Sequence, residues 1–435
     1  MKFRLVIDKT LLWIGLMAIM LVSCSEYQVQ EEKCPTTYQT DGEWITGHNL
    51  DRYNNRPLYI NNTNAFVLTG DKPLIRLVKD DKLFGTLAIS LKRDGEIKQI
   101  VDFDQVTSQY APGQMKWELE DSRLNGLNIS LNVLPPANGT GMVVRVEAGE
   151  IGDGDELSWS FGGAKQYPGE HLSWSFDVMG HPELLDWKHT GNQDEKPQFQ
   201  GTFPTKTANV HSLSFQLDPN GMASYQTGTK AESAYNRAQE KLKKLVGRMK
   251  INTPDPYLNA IARASVISVD GTWYPPVFVH GCMQWNRPFP GWRTIFGGTM
   301  YGWHERVTDE AKYYISSQVK ESDKTTAKAD PGLLMTGQHS DSRFYGAGRI
   351  TKNQAFYNMQ SQFFDQLVQE YRWTADPELI KFLREALELH LAWQHDCFDP
   401  DGNGIYESYI NSWPSDSQWY NGGGSAEETS YAYRG

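Results

Sequence analysis

Paired cysteine is what this sequence most lacks. Its 435 residues include four cysteines, Cys24, Cys34, Cys282 and Cys397. Cys24 belongs to an N-terminal leader, and the odd three that remain are irregularly spaced. They form neither a disulfide framework nor a zinc pattern, and Cys282 and Cys397 fit buried small residues better than ligands. No His/Cys/Asp cluster has metal spacing. There is no serine-centred nucleophile elbow and no phosphate-cradling glycine loop. Positive charge is in deficit, with 42 Lys and Arg against 53 Asp and Glu and a net charge of −11. That balance excludes nucleic acid and anionic membrane surface as natural partners. The apolar run Leu11–Val22 is too short for a bilayer span, which needs about 20 residues.

Aromatic side chains, by contrast, are abundant, at 12% of the chain with 14 Trp and 21 Tyr. Amphipathic rings in that number suit stacking on sugars as well as filling a large core. Hydrophobic content of 39% and charged content of 22% are ordinary for a globular protein. At the N-terminus, Lys2 and Arg4 precede the short apolar run, which ends in Leu21-Val22-Ser23-Cys24. This is a targeting segment, and its ending looks like a bacterial lipoprotein signal with Cys24 as the lipidated residue. Residues 1–24 are read as that signal, and the polar residues 25–40 as a tether.

From 41 to 230 the pattern is strand-like. Ala65-Phe66-Val67-Leu68, Leu74 to Val78, Leu87 to Leu91, Leu127 to Val133 and Met142 to Val146 are short β-rich runs separated by Gly, Pro, Asn or Asp. Trp117 to Glu120 and Leu157 to Phe161 continue the series, whereas Gly180 to Pro204 reads as a polar loop. Regular short strands with such turns predict an antiparallel β-sandwich. Residues 231–252 read as a charged linker helix.

From 253 to 435 helical periodicity takes over. Asp255-Pro256 and Asp376-Pro377 each set an N-cap and a first-turn proline. The first precedes Leu258, Ile261, Ala262, Ser265 and Val269. The second precedes Leu379, Leu383, Leu387 and Leu391, with Phe382, Ala386, Leu389 and Trp393 as a second apolar face. Thr351 with Gln354 and Ser425 with Glu428 have capping-box spacing, and Trp303 to Lys320 is a further helix candidate. Helix after helix, with long aromatic loops between alternate pairs, resembles an (α/α)6-type toroid. Four or five helices are counted where a toroid needs about a dozen, so the toroid is expected to be incomplete, with the chain truncated at its C-terminus.

Candidate chemistry gathers in the loops of this helical part. Asp399-Pro400-Asp401-Gly402-Asn403-Gly404 is a strong turn signal, and Ile405 and Tyr406 suit an extended arm that carries Glu407 into a cleft. Asp399, Asp401, Asn403 and Gly404 also match the first half of an EF-hand loop. Ile410 stands where that pattern needs glutamate, so calcium is set aside and no metal is expected. Trp292 and Arg293 follow Pro290-Gly291. Tryptophan offers a pyranose a stacking face, and arginine donates a fixed fork to hydroxyls or a uronate. His339 and Asp341 lie in a polar loop between helices, and Trp413 and Asp416 follow Glu407. Glu427 and Glu428 open the last helix, where Glu428 is assigned to capping with Ser425 and Glu427 gains from the helix dipole.

A β-sandwich, a linker helix and an (α/α) toroid in that order resemble the plan of the six-hairpin glycosidase superfamily. Two stretches carry the likeness, Cys282 to Arg293 with Phe296-Gly297-Gly298, and Asp399 to Glu407 with Trp419-Tyr420-Asn421-Gly422-Gly423-Gly424-Ser425-Ala426. The Asp399 stretch resembles the hairpin of non-lysosomal glucosylceramidase-type β-glucosidases, although Ser408 stands where that family has asparagine. The resemblance implies that Glu407 is a nucleophile or general base, that Trp292 and Arg293 hold the sugar, and that a further catalytic carboxylate lies downstream. The expected function is hydrolysis of O-glycosyl bonds in an oligo- or polysaccharide, without a cofactor. The expected place is lipid-anchored on the envelope of a diderm bacterium, at the outer membrane, as part of a polysaccharide-degradation system. The alternative is a non-catalytic glycan-binding lipoprotein on the same scaffold.

Overall fold

The computed structural model describes residues 37–50, 53–61, 65–79, 82–124, 126–149, 151–152, 154–162, 165–166, 199–204, 208–218, 222–281, 288–291, 293–321, 347–353, 358–399, 401–406 and 424–435. The chain divides into two units, residues 1–38 and 39–435. Of the first unit only Thr37 and Tyr38 are described, so Cys24 lies outside the described residues. Apart from Tyr38, the first residue of a strand that continues into the second unit, all that follows concerns the second unit.

Its first part is two antiparallel sheets. One runs in spatial order Tyr38–Asp41, Trp44–His48, Gln105–Ala111, Gln114–Glu120, Asn128–Leu134, Thr140–Gly149, Val210–Leu217 and Ala223–Thr227. The other runs Phe199–Thr202, Glu156–Gly162, Lys82–Arg93, Ile75–Lys79, Ala65–Thr69 and Arg56–Tyr59. The sequence alternation sets the register. In Gln114–Glu120 the residues Met115, Trp117 and Leu119 are buried while their neighbours are half-exposed. Ile129, Leu131 and Val133 oppose them from the next strand, as a period of two requires. Side chains of both sheets share one core, with Val67, Leu77 and Ile89 from one and Trp117, Val144 and Phe215 from the other. Phe161 stacks on Phe215 across it, ring centroids 4.4 Å apart.

Phe199–Thr202 corrects the polar-loop reading of 180–204. Only Phe199 is apolar there, but Glu156–Gly162 offers an open edge, and Ser158 to Phe161 pair with Thr202 to Phe199. Tyr38–Asp41 likewise places a strand where a tether was expected up to residue 40.

The first α-helix among the described residues, α1 (Gly228–Val246), covers the outer face of the first sheet, where its Ala234, Tyr235 and Ala238 pack on Leu134 and Val143. Then come α2 (Pro256–Ile261), α3 (Ala264–Gly271), α4 (Thr294–Met300), α5 (His304–Ile315), α6 (Asn358–Thr374), α7 (Pro377–Phe398) and α8 (Ala426–Arg434). Asp255 caps α2 and Asp376 caps α7, as expected from the Asp-Pro pairs. The single helix expected from Asp255 to Val269 is broken at Ala262-Arg263. The Ser265 hydroxyl and amide both bond to the Ala262 carbonyl, at 2.6 and 3.2 Å, which tightens the chain into a turn there. The Thr351 hydroxyl donates to the Ser317 carbonyl, and Gln354, its expected capping partner, lies outside the described residues.

The helices run in two directions. Ile295 of α4 donates its N–H to Gln366 of α6 at 3.0 Å, and Thr299, one turn on, donates to Glu370, one turn on. These two helices are therefore parallel. Ser361 of α6 bonds to Glu428 of α8, and Asp365 and Gln369 meet Arg434, so α6 and α8 are parallel too. Between them α5 and α7 run the other way. His304 at the start of α5 meets Glu370 near the end of α6, and Tyr314 meets Phe363. Gln394 near the end of α7 meets Ser361 at the start of α6. Every residue from Met359 to Phe364 is buried, so the first turns of α6 are enclosed on all sides.

Gly348 fixes the chain on this scaffold. At φ +97° it presses on α7, where an added Cβ would lie 2.0 Å from the Leu389 carbonyl oxygen. Its own carbonyl accepts from Gln318 and Gln360, at 2.9 and 2.8 Å. Alanine there is expected to destabilise the protein by about 3 kcal/mol, combining backbone strain with overpacking. Chemical denaturation of the variant measures it; a loss below about 0.5 kcal/mol contradicts this close approach.

Candidate functional site

The N-terminal ends of α6 and α8 lie side by side, with Ser361 against Glu428, and α4 begins further along α6, with Ile295 against Gln366. Trp292 and Arg293 directly precede α4, His339 and Asp341 lie in the connection that leads into α6, and Glu407, Trp413 and Asp416 lie in the connection that leads into α8. Glu427 is in the first turn of α8. Of these, Arg293 and Glu427 are described, and Glu407, Trp292, His339, Asp341, Trp413 and Asp416 lie outside the described residues.

Arg293 takes the left-handed conformation at φ 61° and is exposed. Two residues before it, Gly291 is pressed on the first turn of α6, where a Cβ would stand 2.9 Å from Met359 Cα. A side chain at that position would lift the Arg293 turn away from α6. Arg293 and Glu427 meet in the field of Tyr431, on α8. Burial and the carboxylates of Glu427, Glu428 and Asp365 push the Tyr431 hydroxyl up to about 12, and Arg293 opposes them. Asp365, on α6, faces Arg434 at 3.0 Å. Its carboxyl is nevertheless raised, since burial outweighs the attraction of Arg434 and Arg293.

Glu428 corrects the capping assignment. Ser425 does accept the Glu428 N–H, at 3.3 Å. The Glu428 carboxylate does not return to Ser425, whose own N–H donates to the Tyr406 carbonyl at 2.8 Å. Instead the fully buried side chain points between α6 and α7. Oε2 accepts from Ser361 Oγ at 3.0 Å and from Gln394 Nε2 at 3.3 Å, and Oε1 has no partner among the described residues. Burial pushes this carboxyl up to about 8, so it is protonated at neutral pH. Sequence spacing could not separate a capping glutamate from one turned inward, because the partners Ser361 and Gln394 are 67 and 34 residues away.

The turn that follows α7 is built as its residues require. Asp399 is buried and accepts from Gly404 N–H at 3.1 Å, while Gly402 and Gly404 take φ of 69° and 79°. Asp401 binds Asn403, whose side chain accepts the Ile405 N–H at 2.7 Å. Tyr406 is held at both ends, its N–H donating to Thr429 Oγ1 at 3.0 Å and its carbonyl accepting from Ser425. The turn is thus seated on the first turn of α8. Among the described residues no three His, Cys, Asp or Glu side chains could hold a metal, and no helix is long and apolar enough to cross a membrane.

Asp365, Tyr431 and Arg434 escaped sequence reasoning. Each sits at an ordinary helical position, and only the parallel packing of α6 and α8 unites them. Chemically the cluster joins an enclosed protonated carboxyl, half-buried carboxyls, a phenol and two guanidiniums, which suits proton transfer and hydroxyl recognition.

In comparisons with known proteins, the profile of a family described as Domain of unknown function (DUF4450) matches residues 82–187. That is about a quarter of the chain; it begins in the strand Lys82–Arg93 and reaches none of the helices α1 to α8. No curated protein matches the chain.

Proposed function

We propose that the protein is a glycoside hydrolase whose cleft opens beside the first turns of α8, in a toroid-type helical region. The observation that carries this reading is a set of carboxyls of unequal burial, Glu428, Asp365 and Glu427, which the parallel packing of α6 and α8 gathers beside Arg293 and Arg434. Hydrolysis of a glycosidic bond needs one protonated and one ionised carboxyl across the bond, and unequal burial is how a protein keeps two such groups apart in pKa. Glu407 acts as nucleophile or general base. Asp365 and Glu427 are the described carboxyls assigned to serve or tune it, and Trp292 and Arg293 hold the sugar ring. An O-linked oligo- or polysaccharide is the substrate, and Cys24 carries a lipid that anchors the protein to the cell envelope.

Incubation of the purified protein with a panel of plant and host glycans, reading released reducing ends, tests the proposal. Turnover of at least one glycan is the expected result. Binding without turnover by any member would turn the conclusion to a glycan-binding lipoprotein, and neither binding nor turnover would overturn both. Asp365→Asn is expected to lower kcat by about tenfold to a hundredfold if its carboxyl takes part in proton transfer. An unchanged kcat would return Asp365 to a helix–helix ion pair with Arg434. For the anchor, intact mass of membrane-extracted protein should show acylation at Cys24.

A further inference from the structure

We propose that Glu428 is a positioning residue: its enclosed carboxyl fixes the first turn of α8 and, through that turn, the point where the chain leaves the Asp399–Tyr406 turn. The catalytic consequence rests on the hydrolase proposal; the geometry does not.

The linkage is continuous in named bonds. On one side Glu428 Oε2 takes the Ser361 hydroxyl of α6 and the Gln394 amide of α7, and Gln394 also donates to the Ser361 oxygen at 3.3 Å. This three-way contact pins α8 to both neighbouring helices at the height of its first turn. On the other side Ser425 and Thr429, which flank Glu428 in the same turn, hold the carbonyl and the N–H of Tyr406. A residue gripped at both backbone groups has little freedom to rotate, so Tyr406 is fixed where it leaves the turn. The far end of the turn is secured separately, since Asp399 accepts from Gly404 at 3.1 Å and its N–H donates to the His395 carbonyl at 3.1 Å. Two anchors therefore define the turn, and only the one at Tyr406 runs through Glu428. A carboxyl that served only to fill core space would not need polar partners on two helices, and apolar residues of equal size pack there at lower desolvation cost.

Hydrogen exchange and kinetics on Glu428→Ala and Glu428→Gln test this. In Glu428→Ala the Tyr406 and Ser425 amides should exchange about tenfold faster or more, while the Gly404 amide, held by Asp399, keeps its wild-type protection as an internal control. On a glycan the protein turns over, kcat should fall by about tenfold to a hundredfold with KM little changed, because a displacement near 1 Å at the reacting group costs rate more than binding. Glutamine keeps the acceptor oxygen and should restore both readouts to within about threefold of wild type. Should Glu428→Ala fail to fold, Ser361→Ala removes one of the two donors and carries the same exchange test. Unchanged protection of Tyr406 in either variant overturns the proposal, as does equal loosening of Gly404 and Tyr406, the sign of a general packing defect. If no glycan is turned over by the wild type, the hydrolase reading fails while the exchange arm still decides the role of Glu428.

Discussion

Replacing Glu407 by glutamine is expected to lower kcat by about three orders of magnitude or more, with glycan binding nearly intact. Glutamine keeps the shape and most hydrogen bonds of the side chain and removes only its charge. The lost interaction then belongs to the transition state, so turnover falls without a matching rise in Kd. A thousandfold change corresponds to about 4 kcal/mol of barrier. A glutamate that only anchors a sugar hydroxyl would behave differently, weakening binding by roughly 1–3 kcal/mol through an unpaired buried partner. Azide rescue of Glu407→Gly, with product configuration followed by NMR, separates nucleophile from base: a rescued product of inverted configuration marks a nucleophile. Near-normal turnover by Glu407→Gln would sink the assignment and leave the turn as structure alone.

Stability is expected to fall as pH rises from about 5 to 8. Two carboxyls drive this, Glu428 and Glu310, both fully buried and both pushed up to about 8 from an ordinary 4.5 by burial. Glu310 Oε2 accepts the Phe278 N–H at 2.9 Å, and its Oε1 has no partner among the described residues. A carboxyl whose folded pKa is raised binds its proton more tightly in the folded state. Its contribution is complete below the unfolded pKa and is lost as pH climbs through the folded one. His390 has the opposite sign. Burial lowers it to about 3 from 6.5, so its contribution is present above 6.5 and lost as pH falls. The three together place maximum stability near pH 5 and the steepest loss between about 6.5 and 8, where His390 no longer compensates. A tenfold difference in proton affinity between folded and unfolded states is worth about 1.4 kcal/mol, so the combined loss is on the order of several kcal/mol. Urea midpoints across this range measure it. Glu310→Gln and Glu428→Gln should each flatten the slope, and the double variant should lose the fall above about 6.5 and keep only the rise that His390 gives below it. A wild-type midpoint that is constant from pH 5 to 8 would show that these carboxyls are ionised in the folded state.

What the residues determine locally, the sequence determined by itself. Alternation in Gln114–Glu120 and Asn128–Leu134 specifies strands with one buried face, because a period of two leaves no other side for Met115, Trp117 and Leu119. Asp255-Pro256 and Asp376-Pro377 specify helix starts, because the cap and the fixed proline φ act within one turn. Asp399 to Gly404 specifies its turn, because glycine alone takes the positive φ there without strain. The tertiary structure decided whatever depends on a partner far along the chain. Phe199–Thr202 becomes a strand through the edge that Ser158 to Phe161 offer. Glu428 leaves the cap for Ser361 and Gln394, since a buried carboxyl goes where donors exist and α6 and α7 supply them. The gathering of Arg293, Asp365, Glu427 and Arg434 needs α4, α6 and α8 to be parallel neighbours. That arrangement is set by which helix faces bury against which, a property that no single stretch of sequence contains.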